Sequence, residues 1–77
     1  MRVEILGSGC PKCEELARNA KSAIADLGLE AEVVKVTDIV EIADRGVMMT
    51  PALVVDGEVK VVGKVATPEE LKALFAS

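Results

Sequence analysis

The sequence predicts an α/β fold: one four-stranded mixed sheet with helices packed on both faces, in the chain order β-α-β-α-β-β-α. Three observations carry that reading. Short Val- and Ile-rich runs alternate with segments whose apolar residues recur at helical spacing. The pair Asp56-Gly57 separates two Val-rich runs, the pattern of a tight hairpin. The last segment opens with Thr67-Pro68-Glu69-Glu70, a helix-start signature. The 77 residues form a single domain, 1–77, because an independent core needs roughly 50 residues or more.

Val3, Ile5 and Leu6 form an apolar run closed by Gly7-Ser8-Gly9 and read as the first strand. After Pro11, the residues Leu16, Ala20, Ala23, Ile24 and Leu27 fall on one helical face, with Glu14, Glu15, Arg18, Lys21 and Asp26 on the others. Pro11 suits the first helical turn, where its missing N–H has no intrahelical partner to lose, so Cys10 is the expected N-cap. Gly28 supplies the stop. Ala31 to Val36 is β-branched and reads as the second strand, and Asp38-Ile39-Val40-Glu41 has capping-box spacing for a short helix ending at Gly46. Ala52 to Val55 and Val59 to Val62 are the hairpin strands, and Leu71, Leu74 and Phe75 give the last helix its apolar side. A right-handed crossover makes the first two strands parallel, and the turn makes the last two antiparallel.

Composition removes several functions. Apolar residues make up 51% of the chain, yet Phe75 is the one aromatic, so stacking on nucleobases is unavailable. Thirteen acidic residues against nine basic ones give a net charge of -4, which repels phosphate backbones and anionic headgroups. No nucleic-acid or membrane role is expected, and the absence of a long apolar run or signal-peptide pattern leads to an expected cytoplasmic location. There is no His, which excludes imidazole acid-base catalysis and His-containing metal sites.

The chemistry then rests on Cys10-Pro11-Lys12-Cys13, between the first strand and the first helix. A disulfide here closes so short a loop that its entropic stabilisation is small, which makes it a poor staple. The same position makes a good redox switch. Cys10 at the helix N-terminus feels the positive end of the macrodipole and unpaired backbone N–H groups, so its thiolate is favoured and can attack a disulfide. Cys13, one turn further and more buried, is placed to resolve the mixed disulfide. Pro11 restrains the loop, and Lys12 adds a positive charge. Two bland alternatives exist: a pair of small core side chains, or half of a zinc site. Zinc wants four ligands, and with no His or further Cys a monomer could add only carboxylates. A Cys-x-x-Cys within a strand-helix-strand unit is the setting in which the motif reads as redox.

With Cys10-Pro11-Lys12-Cys13, Thr50-Pro51 before the third strand, and the closing hairpin and helix, nearly the whole chain resembles a minimal thioredoxin or glutaredoxin-like domain. Gly7-Ser8-Gly9-Cys10 with Cys13 is most similar to the start of the very small prokaryotic redox-active disulfide proteins. The resemblance implies a thiol-disulfide oxidoreductase with Cys10 as nucleophile, Cys13 as resolving thiol and a Cys10–Cys13 disulfide. It implies that Pro51, which alone would read as an ordinary trans proline, is cis and lies against the disulfide, and that the Thr50 backbone pairs with substrate. It implies no bound cofactor, a reductase partner (flavin-dependent and thioredoxin-reductase-like, or glutathione-linked), disulfide-containing protein substrates and a monomer. Gly9 stands where thioredoxins carry Trp, and Lys12 where glutaredoxins commonly carry Tyr, so neither subfamily's substrate range transfers.

The remaining candidates are weighed against simpler uses. Glu4, six positions before Cys10, matches the place of the buried acid that serves the resolving thiol in thioredoxins. Strand alternation favours an exposed carboxylate, since Val3 and Ile5 claim the core. Met48-Met49 could be soft copper ligands, but flexible apolar filler is the expected use. Charges along the helices are expected to be solvated. The rival functions are a copper- or zinc-handling Cys-x-x-Cys chaperone, whose fold ends in a strand rather than a capped helix, and a non-catalytic redox sensor.

Overall fold

The computed structural model of the chain describes residues 1–76. Its elements are β1 (Arg2–Leu6), α1 (Pro11–Leu27), β2 (Glu32–Val36), α2 (Ile39–Asp44), β3 (Ala52–Val55), β4 (Glu58–Val62) and α3 (Pro68–Ala76). The predicted order holds throughout, with β2 starting one residue later than Ala31.

The strands form one sheet in the order β2-β1-β3-β4. β1 and β2 run parallel, as the α1 crossover requires. β3 lies antiparallel on the other side of β1, pairing Ile5 with Leu53 and Leu6 with Ala52. β4 returns antiparallel to β3. Asp56 and Gly57 have φ of 49° and 84°, the positive values that a two-residue type I′ turn needs at both central positions. The β3–β4 register slips between Leu53 and Val54, so that Val61 and Val59 face them with Lys60 as the extra residue.

Each sheet face has its own apolar cluster. On one, Val3, Ile5, Leu53 and Val61 pack against Leu16, Ala17, Ala20, Ala23 and Ile24 of α1 and Leu71 of α3. The small alanines let α1 lie close to the strands. On the other, Leu6, Ala52 and Val54 pack with Val36, Ile42 of α2 and Val47. The helices are fixed at their ends as well. Gly28 and Leu29 N–H groups bond back to Ala25 and Ile24 at the end of α1. The Asp38 carboxylate accepts the Val40 N–H at 2.8 Å. Thr67 and Glu70 exchange reciprocal 3.2 Å bonds that complete the predicted capping box of α3. Asn19 ties α1 to the segment before α3 through Ala66 O at 3.0 Å.

Three expectations need correction. Glu4 is not an exposed carboxylate: it is 5% exposed, because α2 and its following turn cover the face to which alternation sends it. Arg45, just past α2, donates to it from Nη2 at 2.6 Å and from Nε at 3.4 Å. Arg45 is therefore not simply a solvated helix charge either. Met48 and Met49 are not buried filler, being 93% and 61% exposed.

Candidate functional site

β1 ends at Leu6, and from the end of this inner strand the chain passes through Gly7, Ser8 and Gly9 into α1. Cys10 is the N-cap, with extended backbone (φ −70°, ψ 164°), and Pro11 opens the helix. The Cys10 carbonyl takes the first helical bond, from Glu14 N–H at 3.1 Å. Three residues of helix separate the two sulfurs by one turn and bring them to the same side. The Cys10 thiol makes no capping hydrogen bond and turns instead toward Cys13, with a Sγ–Sγ distance of 2.9 Å between two free thiols.

The two cysteines sit in different surroundings. Cys10 is partly exposed, whereas Cys13 is buried at 4% exposure. The hydrogen bond from the Cys13 thiol, with the backbone N–H groups of Cys13 and Lys12 nearby though outside capping geometry, holds the Cys10 thiol below its ordinary pKa. Burial, together with the hydrogen bond and charge of Cys10, pushes the Cys13 thiol above it. The pair thus joins one thiol shifted toward its thiolate with one that holds its proton more tightly.

Thr50 and Pro51 approach from the segment between α2 and β3. The Thr50–Pro51 peptide is cis, Pro51 is buried, and its carbonyl accepts the Gly63 N–H at 2.8 Å. The surroundings of the Gly7 Cα bring Thr50 and Cys13 within reach of the same spot. Met49 leans over Gly63. Pro11 and Lys12 are exposed on the outer side of the first turn of α1. A hollow of about 270 Å³ lined by Ser8, Ile39, Val47, Met48 and Thr50, among others, adjoins the loop that carries Cys10. A larger one of about 380 Å³ between β4 and α3 shares no lining residue with the cysteine motif.

Glu4 is absorbed elsewhere. The Arg45 guanidinium holds its carboxyl below the usual carboxylate range against the opposing effect of burial, so it stays ionised near neutral pH. Among the described residues, no three His, Cys, Asp or Glu side chains converge as a metal site, and a metal at the motif would find two thiolates. Two features were missed from the sequence. The closeness of the Cys13 sulfur to Gly7 had a faint signal in the glycine at the strand end. The Glu4–Arg45 pair, 41 residues apart, had none.

Known proteins resemble the chain over nearly its whole length. The family model described as "Thioredoxin domain" matches residues 1–76. The chain is 40% identical over 76 residues to a thioredoxin of Methanothermobacter thermautotrophicus, covering 99% of each chain. It is 44% identical over 70 residues to a thioredoxin of Methanocaldococcus jannaschii, covering 91% of this chain and 80% of the relative.

Proposed function

The chain belongs to the thioredoxin domain family, a thioredoxin-like redox protein, and from that premise we propose that Cys10 and Cys13 reduce or exchange disulfides of protein substrates. The observation that carries the proposal is the asymmetry of the pair, two thiols 2.9 Å apart with one lowered and one raised in pKa.

In the first step the Cys10 thiolate attacks one sulfur of a substrate disulfide. A Cys10–substrate bond forms, and the other substrate sulfur departs as a thiolate. Cys13 then gives up its proton, which goes to a departing substrate thiolate, and attacks Cys10 Sγ. The Cys10–Cys13 bond forms, and the second substrate sulfur leaves as a thiolate that takes up from water the proton Cys10 had released on ionising. Two electrons pass from the dithiol to the substrate, which ends as two thiols. A partner reductase, flavin-dependent or glutathione-linked, returns the Cys10–Cys13 disulfide to the dithiol. The backbone of Thr50, beside Pro51, is the segment with which the incoming chain pairs, and Pro11 and Lys12 restrain and charge the first turn.

The test is turnover of a model protein disulfide with a dithiol donor. Cys10→Ser is expected to lose the activity, and Cys13→Ser to accumulate a covalent adduct with substrate. Full activity in Cys10→Ser would refute the proposal.

A further inference from the structure

We propose that Gly7 is a positioning residue for the dithiol: the missing side chain at this position gives the Cys13 sulfur the seat from which it reaches Cys10. Of the six glycines, Gly9, Gly28, Gly46, Gly57 and Gly63 have positive φ, a conformation that itself favours glycine. Gly7 does not, so its backbone would accept any residue. Space is what it supplies. A Cβ placed on Gly7 would overlap Cys13 Sγ, and would stand 3.2 Å from Cys13 Cβ and 3.8 Å from Thr50 Cβ.

Neither backbone is free to back away. The Gly7 N–H donates to Val36 O at 3.0 Å, continuing the β1–β2 ladder by one rung, and the preceding Leu6 is fully buried. On the helix side, Leu16 and Ala17 are 0% and 2% exposed in the main core. The Cys13 χ1 torsion is the soft coordinate that remains, and helix geometry already disfavours one of its three wells. Rotating the sulfur off Gly7 relieves the overlap but moves it from its 2.9 Å approach to Cys10 Sγ. Gly7→Ala is therefore expected to fold and to carry a weakened dithiol-disulfide couple.

The experiment combines stability and redox measurements on wild type, Gly7→Ala, Cys13→Ala and the double variant. Thermal unfolding of the reduced proteins forms a cycle. Gly7→Ala is expected to lower the midpoint in the presence of Cys13, and at least half of that drop is expected to vanish when Cys13 is Ala. Equilibration with glutathione is expected to show the intramolecular disulfide of Gly7→Ala at least tenfold less favoured, about 30 mV for a two-electron couple. Gly28→Ala, at the far end of α1, is the comparison variant. It strains a positive-φ position (+66°) where an added Cβ has no atom within 4 Å, so it should lower the midpoint yet keep the redox constant within twofold. An equal midpoint loss in both Cys13 backgrounds, or a wild-type redox constant in Gly7→Ala, would overturn the inference. The redox arm rests on the dithiol cycling proposed above. If the wild type forms no intramolecular disulfide at any poise, that proposal fails, while the unfolding cycle still decides whether Gly7 seats the sulfur.

Discussion

Leu16 lies one helical turn beyond Cys13 and faces the sheet with it, fully buried against Val3, Ile5 and Leu53. Replacing it with Ala removes three carbons from the contact that seats the start of α1. Its helical neighbours in the core, Ala17, Ala20 and Ala23, are too short to reach into the void, and the strands are held by ladders on both sides of β1. The cavity should therefore persist, which places the cost in the middle of the Leu→Ala range, about 3–4 kcal/mol. A domain of this size has only about 4–12 kcal/mol of stability in total, so a large share is lost. At about 4–8 °C per kcal/mol for small domains, the thermal midpoint of the reduced protein should fall by about 12–32 °C. Circular dichroism melts of Leu16→Ala and, for comparison, Met48→Ala measure this. Met48 is 93% exposed, so its truncation should change stability by no more than about 0.5 kcal/mol. A Leu16→Ala midpoint within about 5 °C of wild type would mean that α1 is not close-packed on the sheet at this residue, and the reasoning would fail.

Three further outcomes are expected. The folded-state pKa of Glu4 is depressed, so its contribution to stability is present above the unfolded carboxylate value and is lost as pH falls through the folded one. Arg45→Met leaves burial unopposed by the guanidinium, and the acid-unfolding midpoint followed by circular dichroism should move to higher pH; an unchanged midpoint would contradict the pairing. Cys10 should react with iodoacetamide in a pH profile whose inflection lies below that of an ordinary thiol, and Cys13→Ala, lacking the hydrogen-bond donor, should move that inflection upward, where a profile blind to Cys13 would argue against the hydrogen bond. Thr67→Ala removes the acceptor for the Glu70 N–H and should cost about 1 kcal/mol in urea unfolding, with no effect on the redox constant of the cysteine pair.

The element order was legible because each local signal agreed with its neighbours: the Pro11 start, the Asp56-Gly57 turn, and the Thr67–Glu70 box all act within a few residues of chain. The two cysteines were legible for the same reason, since the helix start fixes both the exposure of Cys10 and the burial of Cys13. What escaped was set by contacts between distant segments. Alternation told which sheet face Glu4 occupies but not that α2 covers that face, and the guanidinium that neutralises it comes from 41 residues away. Met48 and Met49 were expected to be packed because Met usually fills gaps. Here the segment between α2 and β3 is anchored by Val47 on one side and Pro51 on the other, and the two side chains between them are left outside.

The site's asymmetry also bears on the order of events in the proposed cycle. Cys13 keeps its proton for three reasons, and only burial is permanent; the hydrogen bond to Cys10 and the charge on Cys10 are the other two. Once Cys10 Sγ is tied to a substrate sulfur it carries no negative charge and is a far weaker acceptor. Both of those influences fall away, while the backbone N–H groups that favour a Cys13 anion remain. The resolving thiol therefore becomes easier to deprotonate at the stage where its attack is needed, and it is held back before then, when two adjacent thiolates would repel each other. This ordering predicts that blocking Cys10 as a mixed disulfide with a small thiol, in place of the free thiolate, shifts the pH profile of Cys13 deprotonation, followed by thiolate absorbance, to lower pH. A Cys13 profile identical in the free and blocked proteins would show that burial alone sets its proton affinity, and the coupling between the two sulfurs would then have no part in the timing.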